Sequence, residues 1–315
     1  MNSLSIISTY YKGENFIFNC IDSLVNSYER SKKKMNYEIV LIIDSIDDSD
    51  HIFNLLSGKY TSIPIRIIKN VKNIGVSASR NVGLDLIKYD FYTIIDQDDY
   101  VTQEYFSALE QELDENYAVH MINGSILNIT ENISVPIYYF TPDFDFNNLI
   151  LKNTVIYTPA LLIFNKKFVP SKELFIDASE KYKGCDDWAA YLNILVDFEL
   201  NVKMKFINKL LFVYCMHAEN FSNNKGTMIN SSIAVLNYLN KKNNLKETYR
   251  AKVNLALSRQ AFYLDKEVNN FNKGRLFLTY PAHFASHYLL SFFNKQRLNR
   301  LIFRIKYLKI HLLGS

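Results

Sequence analysis

The sequence predicts an α/β protein with a doubly wound, mostly parallel sheet and a C-terminal helical extension. Three observations carry this. Strand and helix patterns alternate through the first hundred residues. Apolar, β-branched runs stop abruptly at acids, above all at Asp96-Gln97-Asp98-Asp99. From Thr227 onward the pattern is wholly helical.

Taken in order, Leu4 to Thr9 reads as a strand and Asn15 to Ser27 as an amphipathic helix with Phe16, Cys20 and Leu24 on one side. Tyr37 to Ile43 is a second strand ending at Asp44, followed by a helix around Ser49 to Ser57 and a third strand, Ile65 to Ile68. Asn73-Ile74-Gly75-Val76 opens a helix through Leu86, and Phe91 to Ile95 is a strand ending at Asp96. A helix is expected over Val101 to Leu113. Short strands with mixed or antiparallel pairing are expected at Val119 to Ile122, Tyr138 to Phe140 and Pro159 to Phe164. A helix opens near Asp186 and runs to about Phe198, and a strand covers Leu210 to Met216. The expected division is a sheet-bearing domain over 1–225 and a helical, basic region over 226–315.

Right-handed crossovers bring the loops after successive parallel strands to one edge, where open α/β sheets bind ligands. Thr9-Tyr10-Tyr11, Asp44 and the Asp96–Asp99 cluster therefore converge although they are distant in sequence. Clustered carboxylates repel one another unless a cation lies between them, and hard divalent cations prefer oxygen ligands. The cluster thus reads as a metal site that implies a phosphorylated ligand; the alternative is a solvated acidic turn capping the next helix.

At 315 residues, 48% apolar and 22% charged, the chain has the composition of an ordinary soluble protein with a sizeable core. Its cysteines, Cys20, Cys185 and Cys215, are too sparse for a disulfide framework or a zinc site and fit a reducing cytoplasm. The N-terminus reads as a first strand, not a leader. Residues 268–315 carry eight Lys or Arg and no acid, which leaves 28 basic against 32 acidic residues in the rest, a balance of −4. A mildly acidic body with a basic tail points to an anionic partner for the tail.

Four segments resemble the family 2, GT-A-fold inverting glycosyltransferases of bacterial surface-polysaccharide type. Leu4 to Tyr11 is similar to the family's opening strand and nucleotide-base loop, with Ser8 in place of the usual proline. Ile42-Ile43-Asp44-Ser45 resembles Val-Asp-Asp-Gly-Ser with a single Asp. Asn73-Ile74-Gly75, Ser79-Arg80-Asn81-Val82-Gly83 and Asp96-Gln97-Asp98-Asp99 match the Asn-x-Gly, Ala-Arg-Asn-x-Gly and Asp-x-Asp elements at their spacing. Gly184-Cys185-Asp186-Asp187-Trp188 is similar to the acidic pair holding the catalytic base. The match covers roughly residues 1–225 and leaves the tail unexplained.

The resemblance implies a GT-A-like sheet, a nucleotide-sugar donor and Mn2+ or Mg2+ as cofactor. It implies that Thr9, Tyr11 and Asp44 line the base pocket, Tyr11 as a stacking face, with Asn73, Gly75 and Arg80 near the nucleotide. Asp96 would hold the ribose and Asp98 the metal that clamps the departing diphosphate. His217, in Tyr214 to Ser222, resembles the family's histidine near metal or diphosphate, although Cys215 stands where Arg is common; the alternative is an ordinary loop histidine. Asp187 would be the general base, with Asp186 supporting it; the alternative is that both acids only favour a helix start. Asp99 reads equally as a partner to the site and as a helix cap, and Arg80 alternatively as a structural salt bridge.

Leu298, Leu301, Ile305, Leu308 and Leu312 form one stripe flanked by Arg297, Arg300, Arg304, Lys306 and Lys309. This is the pattern of a basic helix lying on a membrane surface, or of a helix docked on the catalytic domain. The expectation is therefore a cytoplasmic enzyme, peripheral on the inner face of the cell membrane if the tail binds lipid. Its acceptor would be a glycan or lipid-linked oligosaccharide; nucleic acid is the weaker partner. The competing functions are a sugar nucleotidyltransferase, whose Gly-rich basic loop is missing from Ser8 to Glu14, and a non-catalytic nucleotide- or glycan-binding module.

Overall fold

The computed structural model describes residues 2–32, 34–142, 144–151, 158–172, 174–175, 182–197 and 203–268. The chain divides into two compact units, Met1–Asn254 and Leu255–Ser315. The first holds the sheet. Its opening elements are β1 (Ser3–Tyr10), α1 (Glu14–Arg30), β2 (Asn36–Ile43), α2 (Ser49–Lys59), β3 (Ile65–Lys69), α3 (Val76–Asp85) and β4 (Phe91–Ile94), the alternation expected. Then follow β5 (Tyr100–Val101), α4 (Tyr105–Glu112), β6 (Val119–Asn128), β7 (Ile133–Pro136), α5 (Phe146–Leu151), β8 (Leu162–Asn165), α6 (Asp186–Asp197), β9 (Met204–Met216), α7 (Lys225–Asn240) and α8 (Glu247–Val268).

Strands β3, β2, β1 and β4 are mutually parallel. Beyond β4 the sheet continues through β8, β6, β9 and β5, with β7 paired to β6. Pairing there is antiparallel except between β6 and β9, so the sheet is doubly wound and mixed as expected. Residues Ile39 to Ile43 of β2 and Ile6 and Ile7 of β1 are fully buried. Strands covered on both faces read as continuous apolar runs, and each such side chain contributes roughly 1.5–3 kcal/mol by burial. The register sets Tyr10 beside Ile43 and Ile7 beside Ile94. Chain leaving β1, β2 and β4 therefore emerges at one edge.

The helix expected from Val101 begins instead at Tyr105, because Tyr100 and Val101 pair antiparallel with Val213 and Phe212 of β9. The strand expected at Tyr138 to Phe140 is absent and Ile133–Pro136 pairs with β6 instead. Beyond Pro136 the Ile137 N–H still donates to the Gly124 carbonyl at 2.8 Å. The Asn123 side chain takes over the chain beyond it, donating to the Tyr138 carbonyl at 2.9 Å and accepting its N–H at 3.1 Å. Strand β9 starts at Met204, well before the expected Leu210.

Within the second unit the described residues belong to α8, where the Arg259 guanidinium lies 5.5 Å from the Tyr263 ring centroid. No helix among the described residues is long and apolar enough to cross a membrane. The basic stripe from Arg297 to Leu312 lies outside the described residues.

Candidate active site

A cleft of about 780 Å³ opens at the edge where β1, β2 and β4 end, a volume suited to a small-molecule ligand. Thr9 and Tyr11 line it from the end of β1, and Asp44 from the end of β2. Asn73 and Gly75 enter ahead of α3, with Arg80 one turn inside that helix. Asp96 and Asp98 follow β4, and Asp186 and Asp187 come from the first turn of α6. The remaining two candidates, Asp99 and His217, do not line the cleft.

Asp44 organises the segment between β3 and α3. Its Oδ1 accepts from the Asn70 side chain at 2.8 Å and the Ile74 N–H at 2.9 Å, and its Oδ2 accepts the Gly75 N–H at 2.9 Å. Each carboxylate oxygen accepts two bonds, so Oδ2 retains capacity for a ligand N–H. Tyr11 is half exposed.

Arg80 is 5% exposed and sits between two acids. Its Nη2 donates to Asp96 Oδ1 at 2.5 Å and its Nη1 to Asp186 Oδ2 at 2.7 Å. Burial works against its charge, and the two carboxylates hold it on. The guanidinium fork suits this double role, which an ammonium point charge would not fill. One residue therefore ties the segment after β4 to the segment that opens α6.

Acids in the first turn of a helix meet the positive end of its dipole. Asp187 Oδ1 also accepts the Trp188 N–H at 2.7 Å, and Trp188 is anchored through its indole N–H to the Leu149 carbonyl at 2.9 Å. Burial, then the neighbouring Asp186 charge, push Asp187 up to about 7 against the pull of Arg80. A carboxyl poised there can take a proton near neutral pH. Gly184, two residues before Asp186, has φ +81° and faces the Phe221 ring and Met228 Sδ, to both of which a Cβ would come within 2.6 Å.

Asp98 Oδ2 lies 3.0 Å from His217 Nε2, with the side chains 25% and 16% exposed. The imidazole stacks on Phe16 of α1 at 4.9 Å between centroids. Burial and the Asp96 charge raise the Asp98 carboxyl, offset in part by His217. Asp99 is buried, and its Oδ1 accepts the Cys215 N–H at 2.8 Å. It ties the acidic segment to β9 and does not cap α4, whose N-cap position is Glu104. Burial beside Asp98 raises Asp99 far above the usual carboxylate range.

Among the described residues no group of three or more His, Cys, Asp or Glu is arranged to hold a metal. Asp98 and His217 nevertheless offer one oxygen and one nitrogen 3.0 Å apart beside the Asp96 and Asp99 carboxyls. That pair fits a cation that completes its shell with ligand phosphate oxygens and water, the usual habit of Mg2+ at phosphate sites.

Sequence reasoning missed Gln97 as a functional residue, although it stands between the two singled-out acids. It also missed Asn70, which carries no local signal, and Phe16 in its contact with His217, because an apolar helix position reads as core.

The model of the family described as Glycosyl transferase family 2 matches residues 5–170, more than half of the chain. A poly(ribitol-phosphate) beta-glucosyltransferase of Bacillus spizizenii is 34% identical over 102 residues, covering 32% of this chain and 16% of that protein's own length. The chain therefore spans a minor part of that relative. The structure of S. aureus TarS 1-349 in complex with UDP-GlcNAc superimposes with a TM-score of 0.58 at 14% identity, over 85% of this chain and 75% of the other. A mannosyltransferase from Pyrobaculum calidifontis, in complex with GDP-Man and Mn2+, gives 0.55 at 11% identity over 94% and 82%. These likenesses establish the fold, the GT-A-like mixed sheet expected from the sequence.

Proposed function

The chain belongs to glycosyl transferase family 2, and on that footing we propose that it moves a hexose from a nucleotide-diphosphate sugar to a hydroxyl of a glycan or lipid-linked oligosaccharide. The observation that carries the reading is the arrangement around Arg80. One buried guanidinium holds Asp96 on the donor side and Asp186 beside Asp187 on the other, within one cleft.

In the proposed reaction Asp187 accepts the proton of the acceptor hydroxyl as its oxygen forms a bond to the sugar C1. The bond from C1 to the diphosphate oxygen breaks on the opposite face, the nucleoside diphosphate leaves with the electron pair, and the anomeric configuration inverts. Asp96 orients the ribose. Thr9, Tyr11 and Asp44 hold the base, with Asn73 and Gly75 completing the nucleotide side. Asp98 and His217 are the residues that would hold Mn2+ or Mg2+, and such a cation stabilises the charge of the leaving diphosphate.

A UDP-sugar is the favoured donor and a dTDP-sugar the next; a UDP-GlcNAc complex of a structural neighbour supports the uracil choice. The acceptor class draws support from the name of the B. spizizenii relative, a glucosyltransferase acting on poly(ribitol-phosphate), a polymer that carries hydroxyls. Attachment to the inner face of the membrane rests on the basic pattern of 268–315, and sedimentation with anionic liposomes tests it.

The deciding experiment is a thermal-shift screen of UDP-, dTDP- and GDP-sugars with Mn2+, followed by an assay for nucleoside diphosphate release with acceptor. Stabilisation by a uridine or thymidine nucleotide is expected. No stabilisation by any of the three would remove the proposal.

A further inference from the structure

We infer that Gln97 is a positioning residue that latches the Tyr11 loop to the Asp96–Asp98 segment, so that nucleotide and divalent cation strengthen each other's binding through it. The inference rests on the reading of the cleft as a nucleotide-sugar site.

The latch is a pair of hydrogen bonds. Gln97 Oε1 accepts the Tyr11 N–H at 2.9 Å, and Gln97 Nε2 donates to the Tyr11 carbonyl at 3.0 Å. A primary amide alone among side chains of this length offers donor and acceptor together. Glutamate at this position would set an oxygen against the Tyr11 carbonyl, and asparagine is one carbon shorter. The neighbours of Gln97 are already held, Asp96 by Arg80 and Asp98 by His217. The Tyr11 loop has a weaker tie of its own, an ion pair of Lys12 with Asp47 at 3.0 Å on the exposed surface. It lies beyond the end of β1, and the next residue, Lys12, has φ +49°. A non-glycine residue in that region persists only where its surroundings fix it.

Gly13 makes the contact possible. A Cβ on it would lie 2.4 Å from Gln97 Nε2 and 2.5 Å from Cδ. Its φ of −124° is open to any residue, so the glycine is required for space and not for conformation. Anything that orders the Asp96–Asp98 segment, a cation on Asp98 included, therefore also orders the loop carrying the Tyr11 ring. By linkage the effect runs equally in reverse.

Calorimetric titration of UDP, with and without Mn2+, into the wild-type chain and into Gln97→Ala, Gln97→Glu, Gly13→Ala and the Gly13→Ala/Gln97→Ala double variant tests this. Gly13→Ala displaces only the far end of a side chain, so melting temperature and circular dichroism stay at wild-type values. Each single variant is expected to weaken UDP by roughly tenfold, the size of one or two hydrogen bonds, and to shrink the gain that Mn2+ gives. In turnover the donor KM rises while kcat changes less than about threefold, because the base is untouched. The double variant should match Gln97→Ala, since Gly13 acts only through the amide.

Additive losses, or single variants within about twofold of wild type in both affinity and Mn2+ response, would overturn the inference while leaving the donor site standing. Failure of the wild-type chain to bind UDP, dTDP or GDP under either condition would remove the reading of the cleft, and the latch with it.

Discussion

Arg80 Nη1 donates to Asp186 Oδ2 at 2.7 Å, a contact between residues 106 positions apart and both shut away from solvent. Through its other terminal nitrogen the same guanidinium reaches Asp96. The two chemical halves of the cleft are thus mechanically one piece.

Replacing Arg80 by Ala leaves two carboxylates facing each other without a counter-charge. Removing one partner of a buried pair costs about 3–5 kcal/mol, and chemical denaturation should show a loss of that order. Arg80→Lys keeps the charge but not the fork, and its stability should fall between the two. A wild-type midpoint in Arg80→Ala would mean the contact is energetically idle.

Asp187→Asn should reduce transfer by at least about a thousandfold while nucleotide affinity by calorimetry stays within about twofold. In the wild-type enzyme log kcat/KM should rise with pH and level off above about 7, since Asp187 must be ionised to act. The same shift carries a stability consequence. Between about 4, the unfolded value, and 7 the folded state holds a proton that the unfolded chain releases. Stability attributable to this carboxyl therefore falls as pH rises through that window. Asp187→Asn should accordingly melt higher than wild type at pH 8 and no higher at pH 4. A pH-independent difference in melting temperature would contradict the assignment.

Chelation with EDTA should abolish turnover, and added Mn2+ should restore it. Asp98→Asn should remove the Mn2+-dependent part of UDP binding, and His217→Ala should weaken it by at least about 10-fold, the lower bound for losing even a group that only supports a metal ligand. Equal Mn2+ responses in wild type and Asp98→Asn would place the cation elsewhere.

Gly184→Ala imposes both a left-handed conformation and a Cβ within 2.6 Å of the Phe221 ring. A cost of about 1–3 kcal/mol follows from backbone strain alone. Because the displaced segment leads into Asp186 and Asp187, kcat should fall more than donor affinity. Phe221→Ala should recover part of the stability by vacating part of the space; no recovery would show that the conformation or the Met228 Sδ contact, not the ring, sets the loss.

The order of the elements through β4 could be read directly, because β2 and β4 leave nearly unbroken buried apolar runs whose ends are marked by Asp44 and Asp96. Two features were not legible. Tyr100–Val101 is too short to show any periodicity, and only its pairing with β9 makes it a strand. That pairing brings Cys215 to Asp99 and His217 to Asp98, so the histidine's placement follows from a contact no local pattern announces. Beyond β7 the Ile137 N–H still reaches the Gly124 carbonyl, and a side chain, Asn123, then imitates a strand at Tyr138. Among site residues, acids in motifs stood out by type and spacing. Gln97 did not, because its role lies in a bond to the backbone of Tyr11, 86 positions earlier, and an amide between two acids has no signature of its own.

Strand β8 covers the edge of β4, which would otherwise be the open side of the parallel sheet. The chain must extend from Ile94 to Leu162 before that partner exists. At ordinary synthesis speeds the delay is on the order of 3 to 14 seconds. For that interval the nascent β3-β2-β1-β4 sheet presents Phe91 and Tyr92 on an unpaired rim, the arrangement that recruits stray strands. Production of this protein on the ribosome, more than its finished stability, is where slowing translation or withdrawing chaperones would be felt.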